Sequence, residues 1–306
     1  MIMSFAAGYG KTNVDLLFEG MPRLPLEGEE IFTDKFSLCL GGGVPGTMVT
    51  LSRLGVKTKN VTELSGEMFS QFALNEFQKA GCEPINIYTG DKVAVNITAA
   101  AITPKDRTFW SYGNITEKAD PQKIYEGLTG AKAVAMHESY LDVYRKLKDE
   151  GSIVILDTGF VEDMSLEKYE AMLEIADYFL PNRTETIKLT GETDPKKAAA
   201  VLSKYLDKVI VKLDSEGCLI YRDGEYIFVK SIDEFVRVDS TGAGDAFFAG
   251  FMYGIMKDEP IEKCALYGNI TGGKCVTAVG CTTAYFTESE LLEMAEKYKD
   301  NIIYNY

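Results

Sequence analysis

The chain has 306 residues, 46 acidic against 32 basic side chains, a formal charge of -14 and one histidine. That acid excess argues against nucleic acid as a partner, since backbone phosphates demand a positive surface, and a single imidazole excludes sites built from several. No stretch approaches the roughly eighteen apolar residues of a membrane span, and the length suits one large α/β unit with a smaller appendage.

The opening run Ile2, Met3, Phe5, Ala6, Ala7 predicts a buried first strand ending at Gly8. The GYGKTNVD stretch that follows ends like a phosphate-binding P-loop, but that loop needs a glycine where Phe5 stands. Residues 30–40 and 92–112 mix alternation with β-branched and aromatic residues, and Pro104-Lys-Asp-Arg107 supplies a turn. They predict an antiparallel lid drawn from about 11–40 and 90–115. From about residue 120, apolar runs at 131–136, 152–156, 178–180 and 209–213 alternate with helical patterns at 140–150, at Leu166, Tyr169, Leu173 and Ala176, and at 195–205. Strands regularly separated by helices predict a doubly wound, mostly parallel central sheet, whose ligands bind beyond the carboxyl ends of the strands.

No linker rich in Pro, Gly or Ser and no repeat interrupts the chain, so residues 1–306 are expected to form one domain with its lid. His137, in AVAMHESY, has no evident nucleophile partner and reads as a polar strand end. Six cysteines at 39, 82, 218, 264, 275 and 281 form no Cys-x-x-Cys pair and sit in apolar stretches. They suggest buried free thiols and, with no basic segment ahead of the first apolar run, a soluble cytoplasmic protein.

The chemistry concentrates in VDSTGAGDAFFAGFMYGI, residues 238–255. Gly242, Ala243 and Gly244 precede an apolar helical pattern, so backbone amides unobstructed by side chains converge on an anion at a helix start, where the dipole adds roughly half a positive charge. Asp245, in the first turn, is expected to be ionised under the same dipole. An alcohol, with a pKa of roughly 15.7, cannot lose its proton to a carboxylate beforehand, so Asp245 acts only by accepting it as attack develops. A base beside an anion hole suits phosphoryl transfer to a hydroxyl. Any further positive contacts to an anionic substrate must be local, and Lys11, Arg107 and Lys212 are the candidates.

The string Asp239-Ser-Thr-Gly-Ala-Gly-Asp245 closely resembles the C-terminal signature of the PfkB (ribokinase-like) carbohydrate kinases, and GGGVPGTMVTLSRLG, residues 41–55, resembles their N-terminal one. The resemblance runs from Gly10 to Gly280. It implies a ribokinase-like fold and an ATP- and Mg2+-dependent kinase acting on a primary hydroxyl of a small sugar. Gly41, Gly42 and Gly43 would admit the sugar to the backbone, with Asn13, Asp15 and Glu138 as hydroxyl partners; Gly46 stands where relatives usually carry asparagine, which removes a polar contact. Lys11, unusual at its position, hints at a negatively charged substrate.

The resemblance further implies that Asn182 and Glu185 organise magnesium and phosphate through water, although by themselves they form a capping box. Lys212, Asp214, Glu216 and Gly217, together with Gly244, match the nucleotide-binding strand and turns, with Asp214 where relatives often have glycine. Asn269 matches an asparagine near the adenine, while Gly272 and Gly273 beside it also suit helix packing. Asp239 and Thr241, with backbone from Cys275 and Gly280, correspond to a monovalent-cation (potassium) loop. A homodimer through the open lid edge is a further expectation. Two other functions stay open: a nucleoside kinase of the same fold, for which Phe109, Trp110 or Tyr112 would offer stacking surfaces, and a non-catalytic nucleotide- or sugar-binding regulator.

Overall fold

Short runs of small and β-branched apolar residues become strands here because both of their faces are covered. The structure, a computed structural model, describes residues 4–113, 118–159 and 161–306, so Ile2 and Met3 lie outside it. The first strand, β1 (Ala6–Tyr9), is wholly buried and ends one residue later than expected. The lid strands β2 (Asn13–Glu19) and β3 (Lys35–Gly41) follow, then α1 (Gly43–Arg53), β4 (Thr58–Thr62), α2 (Met68–Ala80) and β5 (Glu83–Asn86).

After a second excursion into the lid, β6 (Asn96–Ile102) and β7 (Arg107–Tyr112), the alternation runs through α3 (Pro121–Leu128), β8 (Ala133–Met136), α4 (Leu141–Asp149), β9 (Ile153–Leu156), α5 (Leu166–Ile175), β10 (Tyr178–Phe179), α6 (Arg183–Thr190), α7 (Pro195–Leu202) and β11 (Lys208–Lys212). The remainder is β12 (Gly217–Arg222), β13 (Glu225–Lys230), α8 (Ala243–Met256), α9 (Ile261–Cys275), α10 (Glu288–Lys297) and β14 (Ile302–Ile303).

The ten-stranded sheet has the order β14-β13-β12-β11-β10-β9-β8-β1-β4-β5. It is parallel from β5 to β11, as expected, and closes on an antiparallel edge, β11 to β14. That edge was legible in Asp223-Gly224, whose φ values of 52° and 83° make the two-residue turn between β12 and β13. One face of the sheet packs under α1, α2, α8, α9 and α10, the other under α3, α4, α5, α6 and α7.

The four-stranded lid, β3-β2-β6-β7, corrects the antiparallel expectation: β2 and β6 pair in parallel, while β2–β3 and β6–β7 are antiparallel. Both β2 and β6 leave the body in the same direction, which a tight hairpin between them would forbid. Strand character also begins only at Lys35, so residues 30–34 are not the strand their composition suggests.

Helices α8 and α9 meet backbone to backbone. A Cβ on Gly250 would stand 2.2 Å from Thr271 Oγ1 and 2.4 Å from the Tyr267 carbonyl oxygen, and one on Gly254 2.5 Å from Cys264 Sγ. This close packing pins α8, and with it the turn at its start.

Candidate active site

Because β1, β8, β9, β10 and β11 run parallel, their carboxyl ends share one edge of the sheet, and the segments leaving that edge carry the candidate residues. Gly242 is the N-cap of α8 with φ 78°, and a Cβ there would lie 2.2 Å from Cys281 Cβ. No residue but glycine turns the chain this way in that space. The Ala243 amide is spent on the Ser240 carbonyl oxygen at 3.2 Å, which leaves the amides of Gly244 and Asp245 as the helix's unfilled first-turn donors.

A second helix start meets this one. α1 also begins at a glycine N-cap without a side-chain cap, Gly42 at φ 95°. A Cβ on Gly43 would stand only 3.0 Å from Asp245 Oδ1, and Thr47 Oγ1 donates to the Asp245 carbonyl oxygen at 3.2 Å. The Asp245 carboxylate therefore lies between two positive helix ends. The dipoles do not decide its protonation, however. Burial first, and the charge of Asp157 next, raise its pKa from 3.8 to about 6 against the opposing effect of Lys212. The expectation of ionisation at neutral pH stands, but with a narrower margin than helix dipoles alone would leave.

The lid side of the site is built from β2 and β3. Asn13 Nδ2 donates to Asp15 Oδ1 at 2.5 Å, and Asn13 Oδ1 accepts from Thr98 Oγ1 at 3.2 Å. A Cβ on Gly41 would meet Asp15 Oδ2 at 2.4 Å, and one on Gly42 the Lys11 carbonyl oxygen at 2.8 Å. Burial raises the Asp15 pKa to about 6, although the Asn13 amide opposes it. A Cβ on Gly46 would meet Cys281, Thr282 and the Asp245 Cβ at 3.8–4.0 Å, ordinary contact distances, so a Cβ is tolerated there. Lys11 Nζ stands 3.3 Å from the nearly buried Glu63, so its charge is shared with that carboxylate. Glu138 is exposed at the rim.

Lys212 points inward to the sequence's main omission, Asp157, at 2.7 Å, with both side chains largely buried. Burial pushes the Asp157 carboxyl up and Lys212 opposes it. The one available signal was an acidic residue directly after a buried strand, SIVILD, at the binding edge. Glu185 is 2% exposed and completes a capping box with Asn182: its Oε2 accepts the Asn182 amide at 2.8 Å and its Oε1 the Asn182 side chain at 2.7 Å. Burial raises its pKa to about 7, with Asp157 and Glu138 adding to the shift and Lys212 opposing it. Thus Lys212 tempers three neighbouring carboxyls.

The turn after Lys212 explains its own departures. Asp214 takes φ 54°, a left-handed conformation that glycine adopts most readily, and its exposed side chain turns outward toward Arg183, 3.5 Å away. Glu216 pairs with the same arginine. A Cβ on Gly217 would fall 2.0 Å from the Val229 carbonyl oxygen, so that glycine is obligatory. Asn269 donates to the carbonyl oxygens of Val229 (2.9 Å) and Lys230 (3.0 Å), which ties α9 to β13. Gly272 and Gly273 are packing glycines: a Cβ would meet the Ala243 carbonyl oxygen at 3.1 Å and the Phe235 ring at 2.5 Å respectively.

Asp239 accepts from the Thr241 amide (3.0 Å) and hydroxyl (2.8 Å), from the Gly280 amide (3.3 Å) and from Arg107 Nη1 of the lid (2.5 Å). Burial would raise its carboxyl, but these donors together hold it below the usual range. His137 fills the bland role expected of it: its Nδ1 accepts the Ser139 amide at 3.0 Å and its ring packs on Tyr9 and Tyr140.

A pH dependence follows for any activity that needs these groups ionised, Asp245 as the base and Asp15 and Glu185 as binding carboxylates. Asp245 and Asp15 hold their protons to about pH 6 and Glu185 to about pH 7. The acid limb of kcat/KM is expected as one composite fall between about pH 7 and 5, well above an ordinary carboxylate. A rate level down to pH 5 would contradict these environments. Because the folded state binds these protons more tightly than the unfolded chain, the same groups make stability fall as pH rises from about 4 to 7.

Among known proteins, the model for "pfkB family carbohydrate kinase" matches residues 7–288. The chain is 28% identical over 244 residues, covering 75% of it and 95% of its relative, to an uncharacterized sugar kinase of Archaeoglobus fulgidus. It is 24% identical over 331 residues, 97% of it and 98% of the other, to a 5-dehydro-2-deoxygluconokinase of Geobacillus kaustophilus. Its backbone follows that of Arabidopsis thaliana ribokinase complexed with ribose and ATP with a TM-score of 0.79 at 22% identity, over 96% of this chain and 99% of that one. With both signature segments brought to a single edge and the family match spanning nearly all of its length, this chain belongs to the pfkB family of carbohydrate kinases.

Proposed function

We propose that the whole chain acts as one kinase domain that transfers the γ-phosphoryl group of ATP to a primary hydroxyl of a small sugar. The observation that carries the reading is the position of Asp245, whose carboxylate lies at the meeting of the α1 start, beside Asp15 and Gly41, and the α8 start with its open amides. A hydroxyl held by Asn13 and Asp15 is brought to a base whose neighbouring amides hold the migrating phosphoryl group. Asp245 accepts the hydroxyl proton as the bond forms. Lys212 and the Gly242–Gly244 turn carry the phosphate charge, and the lid excludes water that would otherwise accept the phosphoryl group.

Magnesium fits the carboxyls of Asp157, Glu185 and Glu138: the charges of Asp157 and Glu138 disfavour ionised Glu185, and Lys212 and the Asn182 amide oppose them. When bound, the ion supplies charge neutralisation to the nucleotide phosphates. Among the described residues no three such side chains form a direct ligand set, so these residues would hold the ion mainly through water, as magnesium commonly permits. A potassium ion is not part of this reading, because Arg107 already stands at Asp239.

The pairing register supports a homodimer through the lid. Phe18, Phe36, Trp110 and Tyr112 share the lid face turned away from Asp15 and are 37–56% exposed. The same register leaves only Phe109, of the three lid aromatics offered for a nucleobase, on the substrate side. Free thiols at all six cysteines suit a reducing cytoplasm.

The test is ADP release across free sugars, sugar acids and nucleosides. Turnover of a sugar or sugar acid is the expected result; turnover confined to nucleosides would shift the acceptor class. Tight binding with no ADP from any acceptor would leave a regulator and overturn the kinase reading.

A further inference from the structure

The potassium ion implied beside Asp239 and Thr241 does not fit the turn found here. Both Asp239 oxygens already accept: Oδ1 from Arg107 Nη1, the Thr241 amide and the Thr241 hydroxyl, Oδ2 from the Gly280 amide. Arg107 also reaches the Thr241 hydroxyl. The carbonyl oxygens of Cys275 and Gly280, which would complete a cation cage, are engaged as well, by the amides of Ala278 (3.5 Å) and Thr283 (3.4 Å) respectively, and so are their neighbours. Val276 O accepts the amides of Val238 (2.7 Å) and Asp239 (3.1 Å), and Thr241 O accepts the Cys275 thiol at 3.5 Å.

The cation at this turn is instead a guanidinium from the lid, 132 residues away in sequence. Arg107 opens β7, directly after the turn at 103–106, and that turn lies over residues 237–240. Asp239 is 9% exposed, and the chain passes from its partner Thr241 straight into Gly242, the cap of the anion-binding helix. Without a cation there, a buried negative charge would stand next to amides that must receive phosphate.

We infer that Arg107 is a positioning residue that replaces the monovalent cation, so that seating the lid completes the phosphate-binding turn and the enzyme needs no potassium. The inference rests on the kinase reading above for its rate measurements, but not for its binding measurement. A polar cavity of about 430 Å³, bounded by residues 102–107, Arg237, Val238, Asp239, Ser240 and Val279, lets small cations reach Asp239 once the guanidinium is removed.

The experiment compares wild type, Arg107→Ala and Arg107→Lys in KCl and in choline chloride at equal ionic strength, about 0.1 M. Wild type is expected to have the same kcat/KM and the same thermal midpoint in both salts. Arg107→Ala should lose about tenfold or more in choline and recover in potassium or in millimolar guanidinium. It should also gain a potassium-specific rise in thermal midpoint, a readout that needs no turnover. Arg107→Lys, which keeps a charge on the lid, should remain insensitive to potassium and serves if the alanine variant folds poorly.

A wild-type enzyme several-fold faster or more heat-stable in potassium would overturn the inference, as would an alanine variant that is slow in every salt with no potassium-specific stabilisation. Absence of any turnover, with potassium stabilising only Arg107→Ala, would sink the kinase reading and leave the cation replacement standing.

Discussion

Replacing Asp245 by asparagine is expected to cut turnover by at least about a hundredfold while leaving ATP affinity near its original value. The amide keeps the shape of the side chain but cannot accept the hydroxyl proton. The surrounding structure has no reason to fail, because Thr47 holds the Asp245 backbone carbonyl rather than its carboxylate. Stability should even rise. A pKa lifted from 3.8 to about 6 means that ionised Asp245 costs the folded state on the order of 2–3 kcal/mol at neutral pH, and asparagine removes that cost. Turnover and thermal midpoint are thus predicted to move in opposite directions, which separates a catalytic role from a structural one. Near-normal turnover, or a loss of activity matched by a loss of stability, would refute the assignment.

Lys212→Met is expected to lower stability at neutral pH by about 3–5 kcal/mol, because it strips a largely buried Asp157 of its ion-pair partner. The damage is not confined to that pair. Lys212 also holds down the carboxyl pKa values of Glu185 and Asp245, so its loss should move the acid limb of any residual activity to higher pH. Denaturant unfolding in the presence of Mg2+ should recover part of the lost stability, since the ion supplies charge to the same carboxyls. Adding Asp157→Asn should restore stability without restoring turnover, a coupling that a double-mutant cycle reads directly. A single variant as stable as wild type would mean that the pair is solvated and that Lys212 does not organise the site.

The contrast between Gly242 and Asp157 shows what could be read in advance. Gly242 announced itself because a helix start that binds an anion needs small residues at consecutive positions, a local pattern. Asp157 is one acidic residue after one apolar run, and its meaning arises only when β9 and β11 bring it to Lys212. The Asp214 departure, puzzling as chemistry, is simple as geometry: its φ of 54° is the requirement that glycine meets elsewhere, and its carboxylate points away. Trp110 and Tyr112 resembled a base-stacking surface in one dimension, yet strand alternation turns them to the far side of the lid.

By itself the sequence determined the layered parallel sheet, the glycine turn with its adjoining aspartate, and hence the family and the class of reaction. These follow from periodicity and from steric demands that act within a few residues. Tertiary structure alone decided that Asp245 titrates near pH 6, that Lys212 stands among carboxyls, that the lid pairs β2 with β6 in parallel, and that Arg107 meets Asp239. Each of these depends on burial or on charge brought together from distant segments. Desolvation and Coulomb energy act through space, so no local pattern in the chain encodes them.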